Sequence, residues 1–331
     1  EVASGRDFGA SATHLLNGEA CPSSSPSVSL QPSSSPSTTK DKEEKEMEER
    51  EEERGVLIHF FTATGGEKWS NNEGWMDETV PHCNWYGITC TDDGYVDKID
   101  LEDNQLTGSI PSEVGLLSYL RELYLYSNQL TGSIPSEVGL LSHLTFLLLD
   151  FNQLTGSIPT EVGLLSYLIS LGLYNNQLTG SIPTKMGLLS GLSELKLSNN
   201  QLTGSIPTEV GLLSDLISLV LSNNQLTGSI PTKMGLLSGL SRLELSNNQL
   251  TGSIPSKVGL LSYLERLHLF SNQLSGTIPT ELGRLENLEA TFNLSSNALT
   301  GTVPMDLGNM TNIEKLHLSN NKLVDSMLHL G

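Results

Sequence analysis

The chain has 331 residues, a formal net charge of −20 and only 5% aromatic residues. So acidic a surface repels phosphate backbones and excludes nucleic acid as a partner. No apolar run reaches the roughly 18 residues of a membrane span, so no insertion into a bilayer is expected within this chain.

Residues 1–40 are low-complexity, with Ser-Ser-Ser-Pro at Ser23–Pro26 and again at Ser33–Pro36. Such a stretch buries too little apolar surface to offset its ordering entropy and is expected to be a disordered tail. Its first 20 residues also lack the basic start and continuous apolar core of a secretory leader. Cys21 stands alone within the tail and carries no inference beyond a free thiol. Residues 41–54 are almost wholly charged, and pairs such as Glu44 with Glu48 and Glu46 with Arg50 are i,i+4 neighbours. Any helix here is expected to be solvated.

At Gly55 the character changes. Val56, Leu57, Phe60 and Phe61 make an apolar helical face that stops at Gly65-Gly66. Trp69, Trp75 and Trp85 follow within a short span, which suits a lid over the open end of a repeat array. Cys83 and Cys90 bracket a short loop beside Trp85. The pair is read as a disulfide stapling this 55–94 cap, which implies an oxidising compartment; two reduced buried thiols are the alternative. Residues 59–104 hold ten acids against two bases. The cluster Asp92, Asp93, Asp97, Asp100, Glu102 and Asp103 lacks the spacing of a calcium loop and is read as a solvated acidic face, so no metal is expected.

Residues 95–331 are one repeat, about ten coils of 24 residues. The phrase Asn-Gln-Leu-Thr-Gly-Ser-Ile-Pro begins at Asn104, Asn128, Asn152, Asn176, Asn200, Asn224 and Asn248. Diverged forms start at Asn272 and Asn297, a step of 25, and a truncated one at Asn321. In the coil Leu120–His143, Leu120, Leu123 and Leu125 fit a short strand with leucines inward. Asn128 sits at the corner, where its amide is expected to bond backbone groups and stack into a ladder. Leu130 and Ile134 return to the core, Val138, Leu140 and Leu141 fill the far side, and Gly132 and Pro135 shape the turn. A coil of this kind buries its faces only against its neighbours, so the array is expected to fold as a unit.

This pattern closely resembles the plant-specific class of leucine-rich repeats, L-x-x-L-x-L-x-x-N-x-L-T-G-x-I-P. The run Cys83-Asn84-Trp85-Tyr86-Gly87-Ile88-Thr89-Cys90 matches the C-x-W-x-G-[VI]-x-C signature of the cap that precedes such arrays. Relatives of this kind are ectodomains of receptor-like kinases and receptor-like proteins, and polygalacturonase-inhibiting proteins. The resemblance implies an α/β solenoid: a right-handed leucine-rich-repeat coil, a parallel β-sheet on its concave face, irregular or 3-10 returns on the convex face, and an N-terminal helical cap. It also implies extracellular recognition of a protein or peptide ligand. The chain departs from the receptor kinases in having no Val-Ala-Ile-Lys, His-Arg-Asp or Asp-Phe-Gly run.

Between the inward leucines, one column varies while its surroundings barely change: Asp100, Tyr124, Leu148, Gly172, Lys196, Val220, Glu244, His268, Asn293 and His317. Variation against a near-identical background marks a recognition face or drift at solvated positions. On three successive strands, in this column or at the edge of the concave side, Tyr124, Tyr126, Phe146, Leu148, Asp150 and Tyr174 form an aromatic patch rimmed by polar groups, and Lys196, Glu244 and His268 extend it. Phe151 adjoins the patch and is expected to turn inward as a core filler. The seven histidines are scattered, and no nucleophile, base or metal constellation is recognisable, so neither catalysis nor a cofactor is expected. An alternative use of the array is an ordered surface such as ice or a polysaccharide, bound by the Thr-Gly-Ser rows at Thr107 to Thr251 and Ser109 onward.

Overall fold

In a computed structural model of the chain, residues 39–324 are described. The expected disordered tail, with Cys21, lies outside them except for Thr39 and Lys40, which open the first helix. Of the described residues, 44–324 belong to one compact unit.

Helix α1 runs Thr39–Ala63. Its C-terminal half buries Val56, Leu57, Phe60 and Phe61, spaced to share one face. It ends at Gly65, whose φ of 71° lies in the left-handed region that glycine adopts freely. The charged segment 41–54 is helical, but the expectation that it is solvated fails at its end. Glu53 is buried and accepts the Val96 amide at 2.8 Å, Arg50 donates to the Asp93 carbonyl at 2.8 Å, and Glu49 accepts the Tyr95 hydroxyl at 2.9 Å. Arg54 donates to the Val80 carbonyl at 3.1 Å with its guanidinium 4.8 Å from the Trp85 ring. These four residues repeat the spacing of the apolar face two turns upstream, so the same face of the helix holds the cap with charge where the apolar contacts run out, three of the four bonding its backbone and Glu49 the Tyr95 hydroxyl. Trp69, Trp75 and Trp85 are buried in series beneath it, and Cys83 and Cys90 are disulfide-bonded.

In chain order the strands are β1 (Ile88–Cys90), β2 (Val96–Asp100), β3 (Glu122–Tyr124), β4 (Phe146–Leu148), β5 (Ser170–Gly172), β6 (Glu194–Lys196) and β7 (Ser218–Val220). They continue as β8 (Arg242–Glu244), β9 (Arg266–His268), β10 (Ser275–Thr277), β11 (Ala290–Asn293), β12 (Ala298–Gly301), β13 (Ile313–His317) and β14 (Lys322–Leu323). Eleven of them form one sheet, β1 to β9 in sequence, then β11 and β13. β1 meets β2 antiparallel, and all later neighbours pair parallel. From β3 to β9 each strand has three residues, and its middle leucine is wholly buried, Leu123 to Leu267. The extra residue of the step from Asn272 to Asn297 coincides with a register shift between Ala290 and Thr291.

The asparagine ladder is complete across the repeats. Asn152 donates to the carbonyls of Leu125 and Leu149 at 2.9 and 3.1 Å and accepts the Leu130 amide at 2.9 Å. Its equivalents bond the same way, so one side chain per coil satisfies backbone groups that the corner leaves unpaired. The returns are five-residue 3-10 turns, each opened by a proline such as Pro135. In such a turn residues three apart eclipse, so Val138 and Leu141 both face the core. Leu140 is therefore turned outward at 61% exposure, correcting its expected place in the core, and Leu116, Leu164, Leu188, Leu212, Leu236 and Leu260 follow it. Gly139 is required between them: a Cβ there would lie 2.7 Å from the Glu161 carbonyl oxygen of the next coil.

Candidate ligand site on the concave sheet

Parallel register at a constant 24-residue step places the variable column in one row. Asp100, Tyr124, Leu148, Gly172, Lys196, Val220, Glu244, His268, Asn293 and His317 are successive partners across the sheet. The residue before each inward leucine forms a second row, Glu122, Phe146, Ser170, Glu194, Arg242 and Arg266 among them. Both rows project to the side opposite the core, because alternate residues of a strand face opposite ways.

Where β3 to β6 meet, these rows enclose a cavity of about 500 Å³. Seven of the nine expected site residues line it: Tyr124, Tyr126, Phe146, Leu148, Asp150, Tyr174 and Lys196. Ile169, Ser170, Ser193 and Glu194 complete the lining and were not expected. Glu244 and His268 do not join them. They lie two and three strands beyond Lys196, and Glu244 lines a shallower hollow of about 350 Å³ with Arg242 and Val220. There Arg242 pairs with Glu244 at 2.6 Å, and burial holds the His268 pKa below its ordinary value despite Glu244 at 3.8 Å. A hollow of about 600 Å³ also lies at the cap, beside Gly65, Gly66 and Met76. Its charged residues, Glu67 and Lys68, are exposed, so it lacks the buried polar group that fixes a ligand's orientation.

The walls of the concave cavity are aromatic. The Tyr124 and Phe146 rings meet edge to face with centroids 6.1 Å apart, and Lys98 lies 4.6 Å over Tyr124. Burial, with Glu122 beside it, pushes the Tyr124 phenol up to about 12. Asp150 is 5% exposed and accepts the Tyr174 amide at 2.9 Å. Loss of water around its carboxyl outweighs that bond and the nearby Lys196, and its pKa is pushed up to about 7. Glu194 goes the other way. Burial alone would raise it, but bonds from Lys196 at 2.8 Å and Ser170 at 3.1 Å hold it below the ordinary carboxylate value.

Phe151 corrects a second expectation. It is 50% exposed rather than a core filler, and its ring meets Tyr174 edge to face at 5.0 Å. Its φ is 52°, at a corner where other coils place Ser127, Asn175, Asn199, Asn223 and Asn247. Asparagine tolerates that left-handed conformation, whereas an ordinary side chain is strained there by roughly 1 kcal/mol. Such strain persists at sites where another requirement outweighs it.

A second ladder runs along the returns. Ser109 bridges Thr131, Ser133 bridges Thr155, and the pattern continues to Ser253 with Ser275. Thr131, Ser133, Thr155, Ser157 and their equivalents are exposed, so two hydroxyl rows are presented. Among the described residues no helix is long and apolar enough to cross a membrane. Those residues hold one group of His and Cys atoms close enough to share an ion, at His82, Cys83 and Cys90, but both cysteines belong to the disulfide.

A family profile described as Leucine Rich Repeat matches residues 119–141, 143–165, 191–213, 215–237, 239–261 and 263–285. The chain is 42% identical over 45 residues to MDIS1-interacting receptor like kinase 1 of Arabidopsis thaliana, covering 14% of this chain and 4% of that protein. Among solved structures it is similar to the ectodomain of the plant membrane receptor kinase GASSHO1/SCHENGEN3 from Arabidopsis thaliana, in complex with CASPARIAN STRIP INTEGRITY FACTOR 2. That match has a TM-score of 0.67 and 36% identity, over 82% of this chain and 35% of that one. It is also similar to a plant ice-binding protein, with a TM-score of 0.71 and 29% identity, over 82% of this chain and 87% of that one. The chain thus spans about a third of the receptor ectodomain that it matches. The array is built of leucine-rich repeats, and it is similar to the ectodomains of plant receptor kinases.

Proposed function

We propose that the chain is a non-catalytic, extracellular recognition scaffold that binds a protein or peptide on the concave sheet, at the cavity between β3 and β6. The observation that carries this reading is the convergence of Tyr124, Tyr126, Phe146, Asp150, Tyr174 and Lys196 on one hollow of about 500 Å³. Aromatic anchors around a few buried polar groups are what ligand sites require. Similarity to a receptor ectodomain solved with CASPARIAN STRIP INTEGRITY FACTOR 2 supports the same use of the fold, and the Cys83–Cys90 disulfide supports an oxidising location. Glu244 and His268 act in this reading as a flanking contact for a ligand long enough to reach them.

The test is selection of random twelve-residue displayed peptides on the full chain. Enriched peptides are expected to lose binding at least tenfold when Tyr124, Tyr126 and Tyr174 are replaced by Ala, with the circular dichroism spectrum unchanged. Enrichment of none, or of peptides indifferent to that triple change, contradicts the reading.

A second reading rests on the hydroxyl ladder and on similarity to a plant ice-binding protein over most of both chains. In it, regular Thr and Ser rows bind an ordered surface such as ice. Inhibition of ice recrystallisation by the full chain, lost on Thr155→Lys and Thr203→Lys, is the outcome expected of that reading. No inhibition removes it.

A further inference from the structure

The coil that floors the concave cavity departs from its siblings at adjoining positions. Where Asp150 stands, the flanking coils place Tyr126 and Tyr174, and later coils mostly serine, at Ser198, Ser222, Ser246, Ser295 and Ser319. Its neighbour in the variable column is Gly172, between Leu148 and Lys196. A Cβ at 172 would lie 2.8 Å from Asp150 Oδ1, so the carboxyl keeps its present place only beside a glycine. The carboxyl group therefore leans into the space that a side chain fills elsewhere, in a cavity also lined by Tyr124, Phe146 and Tyr174.

The charges around it do not balance. Lys196 is the cation among the lining residues, and its ammonium bonds Glu194 at 2.8 Å. The hydrogen bonds that Asp150 accepts come from backbone amides, Tyr174's and its own, and not from a cation. A nine-tenths-buried carboxylate without a cation of its own is costly, and the natural remedy is a cation from outside. Aromatic faces beside a carboxylate suit a guanidinium in particular, which is planar, weakly hydrated and stacks on rings while donating to an oxygen pair.

We propose that the cavity between β3 and β6 is a receptor for an arginine side chain of the ligand, its guanidinium on Asp150 and its stem against Tyr124, Phe146 and Tyr174. The proposal rests on the peptide-binding reading of the concave face and names the chemistry that this face selects. Gly172 makes room for the carboxyl, and Phe151, held at a strained corner, extends the aromatic wall through Tyr174. The groups facing Asp150 are Tyr124 and Tyr126 on the β3 side, Tyr174 beyond β5, and Glu194 with Lys196 from β6. Of these Asp150 is the group that titrates near neutrality, so the site strengthens as pH rises through about 7.

The experiment titrates the full chain with Nα-acetyl-arginine amide and, separately, with its neutral isostere Nα-acetyl-citrulline amide, following the Tyr174 amide resonance. The arginine probe is expected to bind at least tenfold tighter than citrulline at pH 8 and less tightly at pH 5.5. Asp150→Asn keeps an acceptor for the Tyr174 amide and should erase the preference. Asp150→Ser, which installs the residue that most later coils carry, is the second variant and should do the same. Equal binding of the two probes, or a preference that survives both substitutions, overturns the proposal. The displayed-peptide selection separates this from the broader reading. Peptides that need Tyr124, Tyr126 and Tyr174 but carry no arginine sink the arginine anchor alone. Discrimination of the probes with no peptide enriched sinks the peptide scaffold and leaves the anchor standing.

Discussion

The coils holding β3 to β6 and those holding β7 and β8 share a backbone but not a surface. In the latter the corner reads Ser222-Asn223 and Ser246-Asn247, a pairing that meets the left-handed turn without strain. In the former the β6 coil keeps that pairing as Ser198-Asn199, but the β4 coil reads Asp150-Phe151, a buried acid followed by a strained aromatic, with Gly172 alongside. The repeat therefore has a default solution for stability, and one stretch abandons it. Residues that raise the energy of the fold where the default was available point to a role in recognition.

The largest effects should come from breaking what the two regions share. Asn200 donates to the Leu173 and Leu197 carbonyls and accepts the Leu178 amide. Replacing it by Ala leaves buried backbone groups unpaired, and urea unfolding should show a loss of about 3 kcal/mol in stability without altering ligand binding.

The pH response should separate the regions next. Asp150 and Glu53 are each pushed up to about 7 by burial. Between the ordinary carboxylate value and about 7, the folded chain retains protons that the unfolded chain has released. Stability therefore falls as pH rises through that window and levels off above it, by on the order of 3–4 kcal/mol for each group. Asp150→Ser should remove the portion due to the cavity, and Glu53→Gln the portion due to the cap. An unfolding free energy flat from pH 4 to 8 contradicts both assignments.

A smaller change sharpens the contrast itself. Phe151→Asn restores the default corner and should raise stability by about 0.5–1 kcal/mol while weakening ligand binding. If the variant is less stable, the ring is part of the packing and the strain argument fails. Smallest of all, Leu188→Ser removes a side chain that is 64% exposed and should change stability by less than about 0.5 kcal/mol.

The solenoid was legible because its causes recur at fixed spacing. Inward leucines, corner asparagines and turn prolines each repeat every 24 residues, and the variable column follows once register is constant. The aromatic patch was legible for the same reason. What was missed depends on direction rather than spacing. Leu140 neighbours Leu141 in sequence, but a 3-10 turn sends one in and one out. Phe151 looks like a core residue by composition, and only its left-handed corner turns it outward. Ser170 and Glu194 sit one residue before the inward leucine, a row as readable as the variable column had it been followed. The docking of Arg50, Glu53 and Arg54 on backbone groups of the cap, and of Glu49 on the Tyr95 hydroxyl, joins residues more than 20 apart, and i,i+4 spacing carries no trace of that.

The most direct test is hydrogen–deuterium exchange of the full chain with and without a selected peptide. Protection confined to residues 122–126, 146–151, 169–174 and 193–196, with 218–222 and the Thr/Ser ladder unchanged, is the predicted result. Protection centred on that ladder, or spread evenly along the sheet, would contradict a specialised concave cavity.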